Sequence, residues 1–246
     1  MLVISTEEPL ALAVVDVIHT GDQAALRRLL NENPGLATAR LGDNPDTEGG
    51  MSRSLLHVVT DWPGHFPNGA ATVATLVSAG ADVNARFTGP HTETPLHWAA
   101  SSDDVKVLDA LLDAGADIEA PGAVIADGTP LTDAVAFAQW NAAHRLVERG
   151  AKTLLGDAAA LGILDLVTDF VAGDPPIQEE ISHAFWLACH GGQRRTAEFL
   201  LSQGADLNWL PTWESLTPLD AAIRSNGTEV IDWLRSQGAL KAEQMS

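Results

Sequence analysis

The sequence predicts an all-α solenoid of stacked helix pairs, and two recurring phrases predict it. Thr94-Pro95-Leu96-His97-Trp98-Ala99-Ala100 returns as Thr129-Pro130-Leu131-Thr132-Asp133-Ala134-Val135 and as Thr217-Pro218-Leu219-Asp220-Ala221-Ala222-Ile223. A Gly-Ala pair, usually followed by Asp, stands at Gly80, Gly115, Gly150, Gly204 and Gly238, with steps of 35, 35, 54 and 34. Self-similarity at a period of about 33 residues means units that bury their apolar faces only on one another.

Each element of the period has a physical reason. Thr before Pro caps a helix, and Pro takes the first helical position, where its missing N–H costs nothing. Leu and paired Ala put small apolar side chains on one face, so two short helices can lie close. A second helix such as Val105 to Ala114 ends at Gly115, which supplies the left-handed residue of a C-cap. Ala116-Asp117-Ile118-Glu119 then opens a connector to the next Thr-Pro.

With Thr-Pro-Leu-His, the paired Ala and the closing Gly80-Ala81-Asp82-Val83-Asn84, the chain resembles the ankyrin repeat family over nearly its whole length. That resemblance implies helix pairs with projecting hairpin-like connectors and a concave binding groove, and it implies no one partner. Seven units are expected as one domain over residues 1–246. A capping unit runs from about Glu8 to Pro34, with His19-Thr20-Gly21-Asp22 as its turn. Further units open at Ser54, Thr94 and Thr129, degenerate ones run over Thr153 to Gly173 and Ser182 to Asn208, and a last cap runs from Thr217 to Leu240.

Departures from the period point toward function. Between His57 and Ala71 the inter-helix turn is about five residues too long and reads Asp61-Trp62-Pro63-Gly64-His65-Phe66-Pro67-Asn68, aromatic where the family is usually polar. The connector from Asn33 to Ser54 exceeds the template by about nine residues and carries Asp43, Asp46 and Glu48, which reads as a mobile acidic finger over Leu36 to Gly50.

Composition bounds the partners. The 246 residues carry 33 Asp and Glu against 14 Lys and Arg, a formal net charge of −19, which argues against nucleic acid and anionic membrane. A lone Cys189 cannot form an internal disulfide and suits a reducing, cytoplasmic setting. The apolar run Leu10 to Ile18 contains Asp16 and no basic leader, so it reads as a helix and not as a signal. No stretch approaches the ~20 apolar residues of a membrane span. A monomer is expected.

On the ankyrin resemblance, the groove is lined just after each first helix by Asp61 and Trp62, Ser101 and Ser102, Ala136 and Phe137, His190 and Gly191, and Arg224 and Ser225. The connectors add Met51 and Arg53, His91 and Glu93, and Trp213 and Glu214. The ligand-binding candidates are Asp61, Trp62, His65, Phe66, His91, Glu93, Ser101, Phe137, His190 and Trp213. Units stack about 10 Å apart, so Asp61, Trp62, His65, Phe66, His91 and Glu93 could converge, with Trp62 and Phe66 as an apolar floor. Asp61, His65, His91 and Glu93 are also the types needed for acid–base catalysis, while their sequence spacing supplies no metal motif. His57 and His97 read as structural bridges, and Trp98, Trp140, Trp233 and Cys189 as packing. Trp209 and Trp213 give the penultimate connector an apolar tip.

The sequence lacks a phosphate-cradling Gly loop, a GxSxG elbow, a CxxC pair and an EF-hand run. It therefore supports a binding module for a protein, peptide or small ligand, with no cofactor. The alternative is a small-molecule hydrolase or isomerase built on the Asp61 to Glu93 cluster.

Overall fold

Thr-Pro begins helices in the computed structural model, which describes residues 2–43, 50–173 and 175–245. The chain forms two compact units, Met1–Ala151 and Lys152–Ser246. In the first, four helix pairs follow one another: α1 (Pro9–Thr20) with α2 (Gln23–Glu32), α3 (Leu55–Val59) with α4 (Gly69–Ser78), α5 (Pro95–Ser101) with α6 (Val105–Asp113), and α7 (Pro130–Ala136) with α8 (Trp140–Glu148). First helices pack on first helices, α1 on α3, α3 on α5 and α5 on α7, and second helices do likewise. Between the two layers lie Leu26, Leu56, Leu76, Leu96, Leu108, Leu111 and Leu131, all buried. Each contributes roughly 1.5–3 kcal/mol by leaving water.

The Thr-Pro-Leu-His phrase is a small machine for joining pairs. Thr94 Oγ1 and its backbone N–H both donate to His97 Nδ1, at 2.9 and 3.1 Å. That leaves Nε2–H to donate to the Gly128 carbonyl of the next connector, at 3.4 Å. His57 repeats the arrangement, with Ser54 on Nδ1 and the Glu93 carbonyl on Nε2–H at 3.1 Å. Burial pushes the pKa of His57 down to about 3 and that of His97 to about 4, so both rings are neutral at pH 7 and keep this tautomer.

Strands appear that the helical reading omits. β1 (Val3–Ile4) pairs parallel with β2 (Arg40–Gly42), and β2 pairs antiparallel with β3 (Ser52–Ser54). This corrects the expectation of a mobile finger from Leu36 onward. Leu36, Ala37, Ala39 and Leu41 are buried, and Arg40 reaches across to Ser52 Oγ at 2.8 Å and the Arg86 carbonyl at 2.8 Å. Asp46 and Glu48 lie outside the described residues.

The second unit contains α9 (Leu155–Ala160) with α10 (Leu164–Ala172), α11 (Gln178–His190) with α12 (Arg194–Ser202), and α13 (Pro218–Arg224) with α14 (Thr228–Ser236). α11 packs on α9 and α13, and α12 on α10 and α14, around Phe185, Cys189, Leu200, Leu219 and Leu234. α11 starts four residues before the expected Ser182, because the Glu180 carboxylate accepts the Ile177 N–H and caps it there, at 2.9 Å. Trp186 stands where the phrase has His, and its indole N–H donates to the Leu216 carbonyl at 2.8 Å. A different side chain thus makes the same bond to the next connector.

Candidate functional site

The long turn over residues 61–68 is held on both sides within its unit. Toward α1, Asn68 Nδ2 donates to the Gly21 carbonyl at 3.0 Å, and a Cβ at Gly21, whose φ is +70°, would strike the Pro67 carbonyl. Toward α5 and α6, the His65 N–H donates to Asp104 Oδ2 at 2.8 Å, and His65 Nε2–H donates to the Ser102 carbonyl at 3.0 Å. At its base Arg53 Nη1 meets Asp61 Oδ1 at 2.6 Å, while His19 Nε2 lies 3.9 Å from Asp61 Oδ2. Phe66 stacks on the His19 ring, with centroids 4.1 Å apart and planes at 15°. Burial raises the Asp61 pKa, against which Arg53 and His19 favour the charged form.

Trp62 stands out from this fixed turn with 85% of its surface exposed. It does not floor a pocket, and Phe66 is committed to His19. Nor do the four expected acid–base residues form one constellation. Asp61 answers to Arg53 and His19, and His65 to Ser102 and Asp104, whereas Glu93 belongs to a different group. Among the described residues no three His, Cys, Asp or Glu side chains come together as metal ligands.

Glu93 is only 8% exposed, and its carboxylate accepts the Trp98 indole N–H with His91 nearby. Trp98 lies edge-on to His57, with centroids 4.8 Å apart, and against Phe87 at 5.6 Å. It is half-buried, and its role is to hold Glu93 as much as to pack. Asp133 occupies the register of Trp98 in the next pair. It is fully buried, and neither carboxylate oxygen has a hydrogen-bond partner. Desolvation, with the Glu93 charge adding to it, pushes its pKa up to about 8, so it holds a proton at pH 7. Sequence reasoning missed Asp133. The signal available was an acidic residue in the slot that holds Trp98 one repeat earlier. Ser101 donates to the Trp98 carbonyl at 3.1 Å, and Phe137 ends α7 with 46% exposure.

In the second unit His190 is buried, stacks on Trp186 at 5.5 Å and pairs with Ser225 Oγ at 2.9 Å, so it faces the packing of α11 on α13. Cys189 is buried in the small-residue slot, and burial pushes its thiol pKa up, which makes it a poor nucleophile. Trp213 is 57% exposed.

Residues 91–123 match the family model for the ankyrin repeat. The matched stretch holds α5, α6 and the connectors on either side, the unit that the other helix pairs reiterate. The chain contains an ankyrin repeat. Among solved structures, the human ASB11 ankyrin repeat domain is similar at 27% identity over 76% of this chain and 85% of that one, with a TM-score of 0.45. No curated protein matches. Ankyrin repeats are protein-interaction modules, and this ankyrin-repeat chain is a binding module in that general sense. Among the described residues no helix is long and apolar enough to cross a membrane.

Proposed function

We propose that this ankyrin-repeat chain recognises a segment of a protein partner on its first unit, with Trp62 as the anchoring side chain. The observation that carries the reading is an almost fully exposed Trp on a turn tied down from both flanking helix pairs. A large exposed aromatic carried on a fixed backbone leaves apolar surface to be buried on binding and costs little backbone entropy, which is the profile of an interface hot spot. Phe137 and the Arg53–Asp61 pair offer further apolar and charged contacts on the same unit. The acidic balance of the chain favours a partner bearing cations over nucleic acid. A single, buried Cys189 accords with work in a reducing compartment.

The test is a peptide-display selection on the purified protein, followed by affinity measurements on Trp62→Ala and Trp62→Phe. Losses of roughly tenfold or more for Trp62→Ala, largely rescued by Trp62→Phe, support the reading. Selected peptides that bind Trp62→Ala as tightly as the parent protein refute it.

A further inference from the structure

We propose that the second unit carries a separate recognition site, an aromatic face on Trp209 and Trp213 that receives a lysine or arginine side chain of a protein partner. The connector between α12 and α13 bears both Trp side chains, and their rings meet edge-on at 5.7 Å. His183 braces them from α11, 5.9 Å from Trp209 and 5.2 Å from Trp213, and Trp186 meets Trp213 at 6.4 Å. Four aromatic rings therefore fix one another, yet Trp213 gives more than half of its surface to solvent and Leu210 beside it is exposed. Burial lowers the His183 pKa and keeps that ring neutral, so it adds no repulsion toward a cation.

The chemistry of the occupant follows from what the cluster already holds. Arg224 lays its guanidinium over the Trp186 ring, 5.5 Å from the centroid, and Glu214 grips it at 2.7 Å. A cation on an indole face beside a carboxylate thus already occurs on neighbouring Trp186, and the electron-rich face of Trp is the aromatic surface best suited to one. Glu179 adds its charge beside His183. With 33 acidic side chains against 14 basic ones, the field of the protein draws cations toward such a face and repels acidic segments.

The experiment uses the full chain and three fluorescein-labelled 12-residue peptides: one rich in lysine, its arginine counterpart, and a third in which citrulline replaces every cation. Anisotropy titrations are made with the parent protein, Trp213→Ala, Trp213→Phe and Trp62→Ala. Trp213→Ala leaves the net charge untouched, so it separates the aromatic face from general attraction to an acidic protein. The cationic peptides are expected to bind, with roughly threefold to thirtyfold loss in Trp213→Ala, most affinity kept in Trp213→Phe, and little binding of the citrulline peptide. Indole N–H resonances of Trp209 and Trp213 in the parent protein are expected to shift on titration, a reading that needs no variant to fold. Equal affinity for the parent protein and Trp213→Ala, equal binding of the citrulline peptide, unmoved indole resonances, or no cationic binding at all would each overturn the proposal. Loss in Trp62→Ala alone would assign cation binding to the first unit and overturn it too, while failure of the Trp62 reading leaves this site untouched.

Discussion

Asp133 and the two motif histidines pull the stability of the fold in opposite directions as pH changes. An aspartate of ordinary pKa 3.8 that holds its proton until about pH 8 when folded makes the native state bind more protons than the unfolded state across that interval. Stability therefore falls as pH rises from about 4 to about 8, by at most about 1.4 kcal/mol per pH unit, and levels off above. Asp133→Asn should remove that slope and stabilise the protein at pH 8, as chemical denaturation at a series of pH values would reveal. An unchanged slope would place the carboxyl in contact with water. His57 and His97 act the other way: folded, they resist protonation down to about 3 and 4, against an ordinary 6.5, so stability is lost as pH falls below about 6.5. His97→Gln should flatten part of that acid limb while lowering stability at neutral pH, because the Gly128 carbonyl loses a fixed donor.

At the scale of elements, three first helices are coupled to the next connector through one side-chain bond each, from His57, His97 and Trp186. Trp186→Phe keeps the ring and removes the N–H that reaches Leu216. We expect a loss of about 1–2 kcal/mol in thermal or denaturant unfolding, and no loss would mean that packing alone seats the connector. Gly21 couples the long turn to the first pair, and Gly21→Ala combines a left-handed backbone with a collision at Pro67. A cost of about 1–3 kcal/mol is expected, together with weaker partner binding as the turn loses its seat.

The helix pairs were legible because Thr-Pro, paired Ala and terminal Gly each encode local geometry that needs no knowledge of distant residues. β1 and β2 were not, since two or three residues carry no period and their partners lie far along the chain. Around the site, the importance of the 61–68 turn and of Glu93 could be read from an insertion and from connector position. What could not be read was side-chain pairing: His19 with Phe66 across two repeats, and Asp61 with Arg53 and Trp98 with Glu93 between a first helix and the connector that enters it. Those choices depend on how adjacent helix pairs are seated, and Asp133 shows the same limit, because an acidic residue in a first helix looks exposed until its neighbours close over it.

For the molecule as a whole, an excess of acidic side chains sets the background against which every partner is chosen. Binding of a cation-bearing segment should weaken as salt rises from about 50 to about 200 mM, while the penalty of Trp62→Ala, an apolar contact, should stay nearly constant over that range. Titrations at both salt concentrations check the separation. On our proposal, the protein recognises its partner through Trp62 on a preformed turn. The most direct test is the Trp62 indole N–H resonance, assigned by its absence in Trp62→Phe and followed while a display-selected partner peptide is added. This resonance is expected to shift in step with the binding isotherm, with the backbone amides of residues 64–66 moving little because the turn is already formed. A Trp62 resonance that stays in place while the partner saturates the protein would contradict it.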